Sequence, residues 1–392
     1  MQIITKLTNL TKIFVLCFSA LALSFCSKDN TKIDKRIENG IEVIQNHIEP
    51  YEINGEPYTF ALEKELTISQ ERKDLVDRGM MSMGEFTVDS NGNIYIVGWE
   101  NKKDLIYKLD SEGNFITSFG QKGQGPGELE MPTWPGISGN KFYISDRGKK
   151  IVLFDEDGHL YKENRFKTRV TNGDILKNGN YLFWGGWSGY KTNAYSQYNL
   201  SLFSPEFKKI RDLDVYKLHY RNERLAPYFM WRVRNDRIYI INEERGYEFL
   251  IYDLDGNLIR KIQKDYKPVS PSLEIKKAIL GPQYQETGKR NEYVPNPLPP
   301  IKLFMVDDQG RLFVMTYEKG STRGEFIYDI FNSEGVFIGR KSLNLRWADL
   351  SFGVKYQTVS KNKLYCYRYN EDGFMEMNIY KIKWIYKNDV NQ

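Results

Sequence analysis

The sequence contains few of the residues that build metal centres, disulfides and nucleophilic sites. Among its 392 residues there are only three histidines and three cysteines, namely His47, His159, His219, Cys17, Cys26 and Cys366. There is no Gly-x-Ser-x-Gly motif, no Cys and His at a useful spacing and no zinc-finger cysteine set. Nucleophilic catalysis therefore has no candidate residue, and we expect neither disulfides nor a zinc site of three histidines.

The chain also lacks concentrated charge and long apolar runs. Its formal net charge is +5, and charged residues make up 27% of the sequence without forming a basic block. Because nucleic-acid binding needs a basic patch or stripe, we expect no nucleic-acid partner. The longest apolar stretch, Ile13–Phe25, is too short to span a bilayer as a helix.

The first residues are typical of an export signal. Lys6 and Lys12 give a positive start, and Ile13–Phe25 supplies the apolar region. We therefore predict a signal peptide over residues 1–25. Residues 26–55 are expected to form a polar tether with a candidate edge strand at Ile41–Tyr51.

The end of this signal, Leu23-Ser24-Phe25-Cys26, resembles the lipobox of bacterial lipoproteins. The resemblance implies that Cys26 is acylated, becomes the mature N-terminus and attaches the protein to a membrane of the cell envelope. Ser27 after the cysteine implies, by the same resemblance, the outer membrane. An ordinary secretory signal with an unmodified cysteine is the alternative.

Six times along the chain a short apolar run breaks at a tight polar turn and resumes as a second apolar run. These turns centre on Asn91, Asn140, Asn178, Asn235, Gln309 and Lys361. In five of the six units a second turn follows, in strings such as LDSEGNF, FDEDGHL, YDLDGNL and FNSEGVF. Each unit therefore reads as a four-stranded antiparallel sheet, and sheets repeated every 40 to 50 residues or so indicate a β-propeller. We predict an all-β fold with a six-bladed β-propeller over residues 56–392.

The sixth unit has only three strands of its own. The segment Pro57–Ile68 alternates like a strand and belongs to no other unit. We predict that it pairs with Met377–Trp384 and closes the ring, which removes two exposed sheet edges. Ser270–Pro300 fits no unit, and we interpret it as an insertion with a short helix between the fourth and fifth blades.

Three strings resemble NHL repeats of bacterial six-bladed β-propeller lipoproteins: Asp89–Ile96, Ser118–Leu129 and Ser145–Asp155. The resemblance implies the fold. It does not choose an activity, because propellers of this group include binding modules and, in related families, amidating lyases and lactonases. We expect no cofactor. A calcium site of carboxylates and carbonyls remains open, although the Asp-x-Asn-Gly-like strings read as hairpin turns.

The tryptophans are the candidate binding residues. In propeller topology, loops between the second and third strands share one face with the connections between blades. Six tryptophans map to this face, namely Trp99, Trp134, Trp184, Trp187, Trp231 and Trp347. Arg147 is the basic residue that we place beside them. Trp and Arg favour binding hot spots, but large rings also fill wedges between blades, so packing is the alternative.

These observations predict an exported, lipid-anchored propeller that binds a protein, peptide or glycan through its Trp/Arg face. Whether the protein is an enzyme stays open. The alternative function is a hydrolase or lyase centred on the channel, with a dependence on calcium left open.

Overall fold

The structure is a computed structural model that describes residues 33–101, 103–166, 172–185, 195–219, 229–273, 275–276, 294–322, 324–345 and 357–387. These residues form six sheets of four or more strands. The prediction of an all-β, six-bladed propeller is therefore confirmed.

The chain enters through three strands that precede the first blade: β1 (Asp34–Glu38), β2 (Ile41–Asn46) and β3 (Thr59–Ser69). Helix α1 (Lys73–Asp77) follows. Among the described residues, no helix has the length and hydrophobicity to cross a membrane.

Blades one to three follow in chain order, each an antiparallel four-stranded sheet with its first strand innermost. Blade one contains β4 (Phe86–Val88), β5 (Ile94–Val97), β6 (Asp104–Leu109) and β7 (Phe115–Gln121). Blade two contains β8 (Pro132–Ser138), β9 (Lys141–Asp146), β10 (Lys150–Phe154) and β11 (Leu160–Arg165). Blade three contains β12 (Asn172–Ile175), β13 (Tyr181–Gly185), β14 (Tyr195–Phe203) and β15 (Lys209–His219).

Blades four to six complete the ring. Blade four contains β16 (Phe229–Arg234), β17 (Arg237–Asn242), a 3₁₀ turn (Glu243–Arg245), β18 (Glu248–Tyr252) and β19 (Leu258–Lys264). Blade five contains β20 (Leu303–Val306), β21 (Leu312–Lys319), β22 (Phe326–Phe331) and β23 (Phe337–Leu343). Blade six contains β24 (Gln357–Ser360), β25 (Lys363–Tyr369) and β26 (Met375–Ile385), and β3 is its fourth strand.

The N-terminal strand closes the ring as predicted. β3 pairs antiparallel with β26, and the register places Phe60 opposite Trp384 and Ile68 opposite Met377. Phe60 is buried and contacts the rings of Phe313 and Trp384. The N-terminal and C-terminal strands of the propeller thus lie in one sheet. The edges of β3 and β26 that face each other are hydrogen-bonded and are not exposed.

The segment before β3 joins the outside of blade four. β2 pairs in parallel with β19, and β1 pairs with β2 as the outermost strand. Asn46 then links this segment to blade five, since its side chain accepts a hydrogen bond from the Phe337 amide and donates one to the Gly335 carbonyl. The sequence predicted one edge strand in Ile41–Tyr51 and did not predict β1.

The hydrophobic core lies between blades rather than at the centre of the ring. Each junction holds a cluster of buried side chains from neighbouring sheets. Tyr95 stacks on Phe142 between blades one and two, for example, and Phe86 meets Tyr367 edge-on between blades one and six. The many aromatic residues therefore fill the wedges between twisted sheets.

The repeated polar strings form the hairpin turns that the sequence predicted. The Asp253 carboxylate accepts hydrogen bonds from the amides of Asp255 and Asn257, and Asp110 and Asp155 do the same in their own turns. Gly256 completes its turn with a φ of 81°, which glycine adopts without strain.

Candidate functional site

The loops between second and third strands and the connections between blades lie on one side of the ring, which we call the upper face. The first-to-second-strand hairpins lie on the opposite side. Four of the six candidate tryptophans and Arg147 fall within the described residues, whereas Trp187 and Trp347 lie outside them.

Among the four candidate tryptophans that the structure describes, Trp99 is the most exposed. It follows β5 in the loop of blade one, and 52% of its surface is accessible to solvent. Its indole Nε1 donates a hydrogen bond of 2.9 Å to the carbonyl of Pro132, at the start of blade two. The ring is thus held in one orientation while much of it faces solvent.

Two exposed methionines that the sequence did not single out lie in segments that are hydrogen-bonded to, or adjoin, the partners of the Trp99 loop. Met81 and Met131 are 44% and 56% exposed. Asn101 connects Met81 to the Trp99 loop, because its Oδ1 accepts the Met81 amide at 2.8 Å. Met131 directly precedes Pro132, whose carbonyl binds the Trp99 indole.

Arg147 lies next to this surface, in the loop between β9 and β10. Its amide donates to the Met131 carbonyl at 3.2 Å, and its guanidinium lies 3.5 Å from the Glu130 carboxylate. The Asp146 carboxylate orders the same corner by accepting the amides of Glu130 and Met131. We call Met81, Trp99, Met131 and Arg147 the upper-face patch.

The other three candidate tryptophans within the described residues form a row of aromatic rings. The ring centres of Trp134 and Trp231 are 4.8 Å apart, and Trp231 lies 5.9 Å from Trp184. Trp184 in turn stacks nearly parallel with Phe229 and Tyr198. Trp134 and Trp231 are buried, so they fill the wedge in the way the packing alternative describes, whereas Trp184 is partly exposed.

A buried carboxylate that the sequence did not single out organises this row. Asp174 on β12 accepts hydrogen bonds from Trp231 Nε1 at 2.7 Å, Trp134 Nε1 at 3.2 Å and the Tyr143 hydroxyl at 2.7 Å. Burial, together with the charge of Asp174, raises the pKa of Tyr143 well above its ordinary value, so the hydroxyl stays a donor. One side chain thus joins blades two, three and four.

Trp134 adopts an unusual backbone conformation at this point. A bulge separates Thr133 from Gly136 in the β8–β9 ladder, and Trp134 within it has a φ of 58°. Positive φ is an outlier for a bulky residue and persists only where the surroundings enforce it. Here the Glu85 carboxylate accepts the Trp134 amide, which ties blade one to the same cluster.

Arg232 lies beside these carboxylates on β16. Burial lowers the pKa of its guanidinium to about 10, and the charges of Asp174 and Glu85 act in the opposite direction without offsetting that effect. Glu85 and Asp174 belong to blades one and three, yet both interact electrostatically with Arg232 of blade four. The three side chains must therefore lie near the axis of the ring.

Three possible metal-ligating side chains lie together in the outer hairpin of blade two. Asp155, Asp157 and His159 bring ligand atoms within 4.8 Å of one another. The Asp155 carboxylate already accepts the amides of Asp157 and His159, so this geometry is that of the blade-two hairpin turn. The turn explains the cluster without an ion.

The Gly-rich connection between blades one and two is filled by its own side chain. Glu128 Oε2 accepts the amide of Gly125 at 2.8 Å, and the amide of Gly127 donates to Glu163. In nucleotide-binding loops such glycine amides donate to a phosphate. Here they donate to the carboxylates of Glu128 and Glu163 instead.

A family comparison agrees with this architecture. Residues 82–220 match the family DUF5128, which is described as a 6-bladed beta-propeller. No curated protein matches the sequence. Solved structures that match include a crystal structure from Bacteroides fragilis NCTC 9343 of a protein described as exported, with 14% identity, a TM-score of 0.49 and coverage of 87% of this chain and 99% of that one. The six sheets and the family match together make this chain an all-β, six-bladed β-propeller.

Proposed function

We propose that the protein is an exported propeller that acts by binding a protein, peptide or glycan ligand at the upper-face patch. The observation that carries this proposal is Trp99, which is 52% exposed and yet fixed by its hydrogen bond to Pro132. A large ring that is already ordered loses little conformational entropy when a partner covers it. Binding hot spots are enriched in such residues.

The neighbours of Trp99 support the same function. Met81 and Met131 are exposed, and methionine adapts its shape to apolar surfaces. Arg147 adds a guanidinium with 43% side-chain exposure that can donate hydrogen bonds at the edge of the patch. The buried row around Asp174 has a supporting role, since it fixes β8, β12 and β16 beneath the surface.

The proposal includes the location of the protein. The positive start, the short apolar region and Cys26 after it favour export followed by acylation. The lipid then holds the propeller at a membrane of the cell envelope, with the outer membrane as the proposed site. One acyl chain gives only marginal anchoring, whereas several make release slow.

A binding screen tests this function. The purified protein, Trp99→Ala and Tyr161→Ala are applied to immobilised glycans and to a displayed peptide library. Tyr161 is a matched control because it is 59% exposed on the outer strand of blade two, away from the patch. We expect ligands that the parent and Tyr161→Ala retain and Trp99→Ala loses; retention by all three proteins would overturn the proposal.

A further inference from the structure

Arg232 is a charged residue on the innermost strand of a blade. It lies in the middle of β16, the innermost strand of blade four, and its guanidinium is 5.7 Å from the ring of Phe304 on the innermost strand of blade five. Its electrostatic neighbours are Asp174 and Glu85, from blades three and one. The side chain therefore lies near the central channel, enclosed by protein but still in partial contact with solvent.

The protein uses little of the hydrogen-bonding capacity of this side chain. A guanidinium has five N–H donors, and within the described residues one hydrogen bond is made, from Nη1 to the Trp231 carbonyl at 2.8 Å. No carboxylate in that part of the chain comes within ion-pair distance of Arg232. Asp174 and Glu85 instead accept hydrogen bonds from Trp134, Trp231 and Tyr143.

The neighbouring residue on the same face of β16 shows the contrast. Arg234, two positions further along, lies 3.1 Å from the Asp308 carboxylate and donates to the Val359 carbonyl. Arg234 is thus paired within the protein. Arg232 has no carboxylate within ion-pair distance among the described residues, and the field of the two nearby carboxylates does not offset its burial. Enclosed charges in proteins are normally paired, because an isolated one is costly.

We propose that Arg232 binds a carboxylate group of a ligand in the central channel. A guanidinium holds a carboxylate through two parallel N–H···O bonds, a geometry that matches its unused donors. This site goes beyond the upper-face patch and does not depend on it. The carboxylate comes either from a small free acid or from a larger ligand, such as a peptide C-terminus or an acidic sugar.

Thermal unfolding of the purified protein tests the proposal with acetate as the probe. Acetamide, a neutral molecule of the same shape, and sodium chloride at matched ionic strength are the controls. We expect acetate alone to raise the unfolding midpoint saturably, by about 2 °C or more. Acetate and acetamide acting alike, or acetate acting no more than chloride, would overturn the proposal.

Variants assign the effect to Arg232. Arg232→Met should lose the acetate response, whereas Arg234→Met, on the same face of the same strand, should keep it. Arg232→Lys retains the charge without the fork and should need a several-fold higher acetate concentration. This variant keeps the test decisive if Arg232→Met does not fold. An unchanged response in either Arg232 variant contradicts the proposal.

Two further pairs of compounds distinguish the sources of the carboxylate. A short peptide with a free C-terminus is compared with its C-terminal amide, and glucuronate is compared with glucose. Only the acid of each pair should raise the midpoint, and the pair with the larger shift identifies the carrier. Because the two members of a pair differ in the carboxylate alone, the difference between them reports on Arg232 and not on Trp99, so failure of this site leaves the upper-face patch standing, and the reverse also holds.

Discussion

The indole nitrogen of Trp231 donates a hydrogen bond of 2.7 Å to the carboxylate of Asp174, across the junction of blades three and four. Trp134 and Tyr143 of blade two donate to the same carboxylate. The inner strands beneath the upper face are therefore held by one buried anion.

The first prediction concerns this anion. Asp174→Asn removes the charge and replaces one acceptor oxygen by a donor, so at least one buried N–H or O–H loses its partner. We expect the free energy of unfolding to fall by about 2 to 4 kcal/mol, because hydrogen bonds to charged groups are strong and unpaired buried donors are costly. Denaturant unfolding followed by tryptophan fluorescence measures this change.

Asp253→Asn is the control for that measurement. Asp253 occupies an outer turn of blade four, and asparagine already serves as the turn acceptor at Asn332 and Asn370 in blades five and six. The control should change the free energy of unfolding by less than about 0.5 kcal/mol. Equal effects of the two substitutions would show that Asp174 has no special role.

The second prediction concerns ring closure. Phe60→Ala removes a buried ring from β3 where it packs against Phe313 and Trp384. It should lower the free energy of unfolding by about 3 to 5 kcal/mol. Lys64→Ala, at an exposed position of the same strand, should have little effect. If Phe60→Ala unfolds at the same denaturant concentration as the parent, β3 does not close the ring.

The third prediction is a pH dependence at the buried Glu163–Lys150 pair. Burial disfavours the ionised form of Glu163, but hydrogen bonds from Lys150 Nζ at 3.0 Å and the Gly127 amide outweigh it and lower the pKa of the carboxyl. Because the pKa of Glu163 is lower in the folded protein than in the unfolded chain, the ionised carboxylate stabilises the fold. This stabilisation is fully present at pH values above the pKa of the unfolded chain, near 4.3, and is lost as the pH falls through the pKa of the folded protein.

Glu163→Gln should therefore lower the free energy of unfolding at pH 7 by about 1 to 3 kcal/mol. The difference from the parent should shrink as the pH falls below about 4. Glu371→Gln, in an exposed turn of blade six, serves as the control and should follow the parent at every pH. A constant difference between Glu163→Gln and the parent across this range would refute the assignment.

The fourth prediction concerns Cys26. If the lipobox resemblance holds, the mature protein begins at this residue and carries acyl chains. Mass spectrometry of the N-terminal peptide should show the corresponding mass increase on Cys26. An unmodified start at Ser27 or later would contradict the lipid anchor and would leave the binding proposal in place.

The fold could be predicted because its signals are local. Each hairpin turn is encoded within a few residues, as at Asp253, where the acceptor and the glycine stand in one short string. The closing strand was also predictable, since the count of strands left blade six one short. The position of β1 and β2 was not, because blade four already has four strands of its own, so no missing strand pointed to the parallel pairing of β2 with β19.

The candidate site was predictable only in part. Residue type pointed to Trp99 and Arg147, and the structure places both on the upper face. The residues next to a tryptophan in the sequence do not show whether its ring is exposed, as at Trp99, or buried between blades, as at Trp231. Its exposure depends on the side chains of the neighbouring blade. Asp174 does not interrupt an apolar run, since β12 reads Asn-Gly-Asp-Ile, and its three partners come from two other blades.

The binding proposal is tested most directly by the affinity of Trp99→Ala for a ligand recovered in the screen. Isothermal calorimetry compares this variant with the parent and with Tyr161→Ala, after denaturant unfolding has shown that all three are similarly stable. The account predicts that Trp99→Ala binds about 30-fold more weakly, equivalent to about 2 kcal/mol, and that Tyr161→Ala binds like the parent. An unchanged affinity of Trp99→Ala would contradict it.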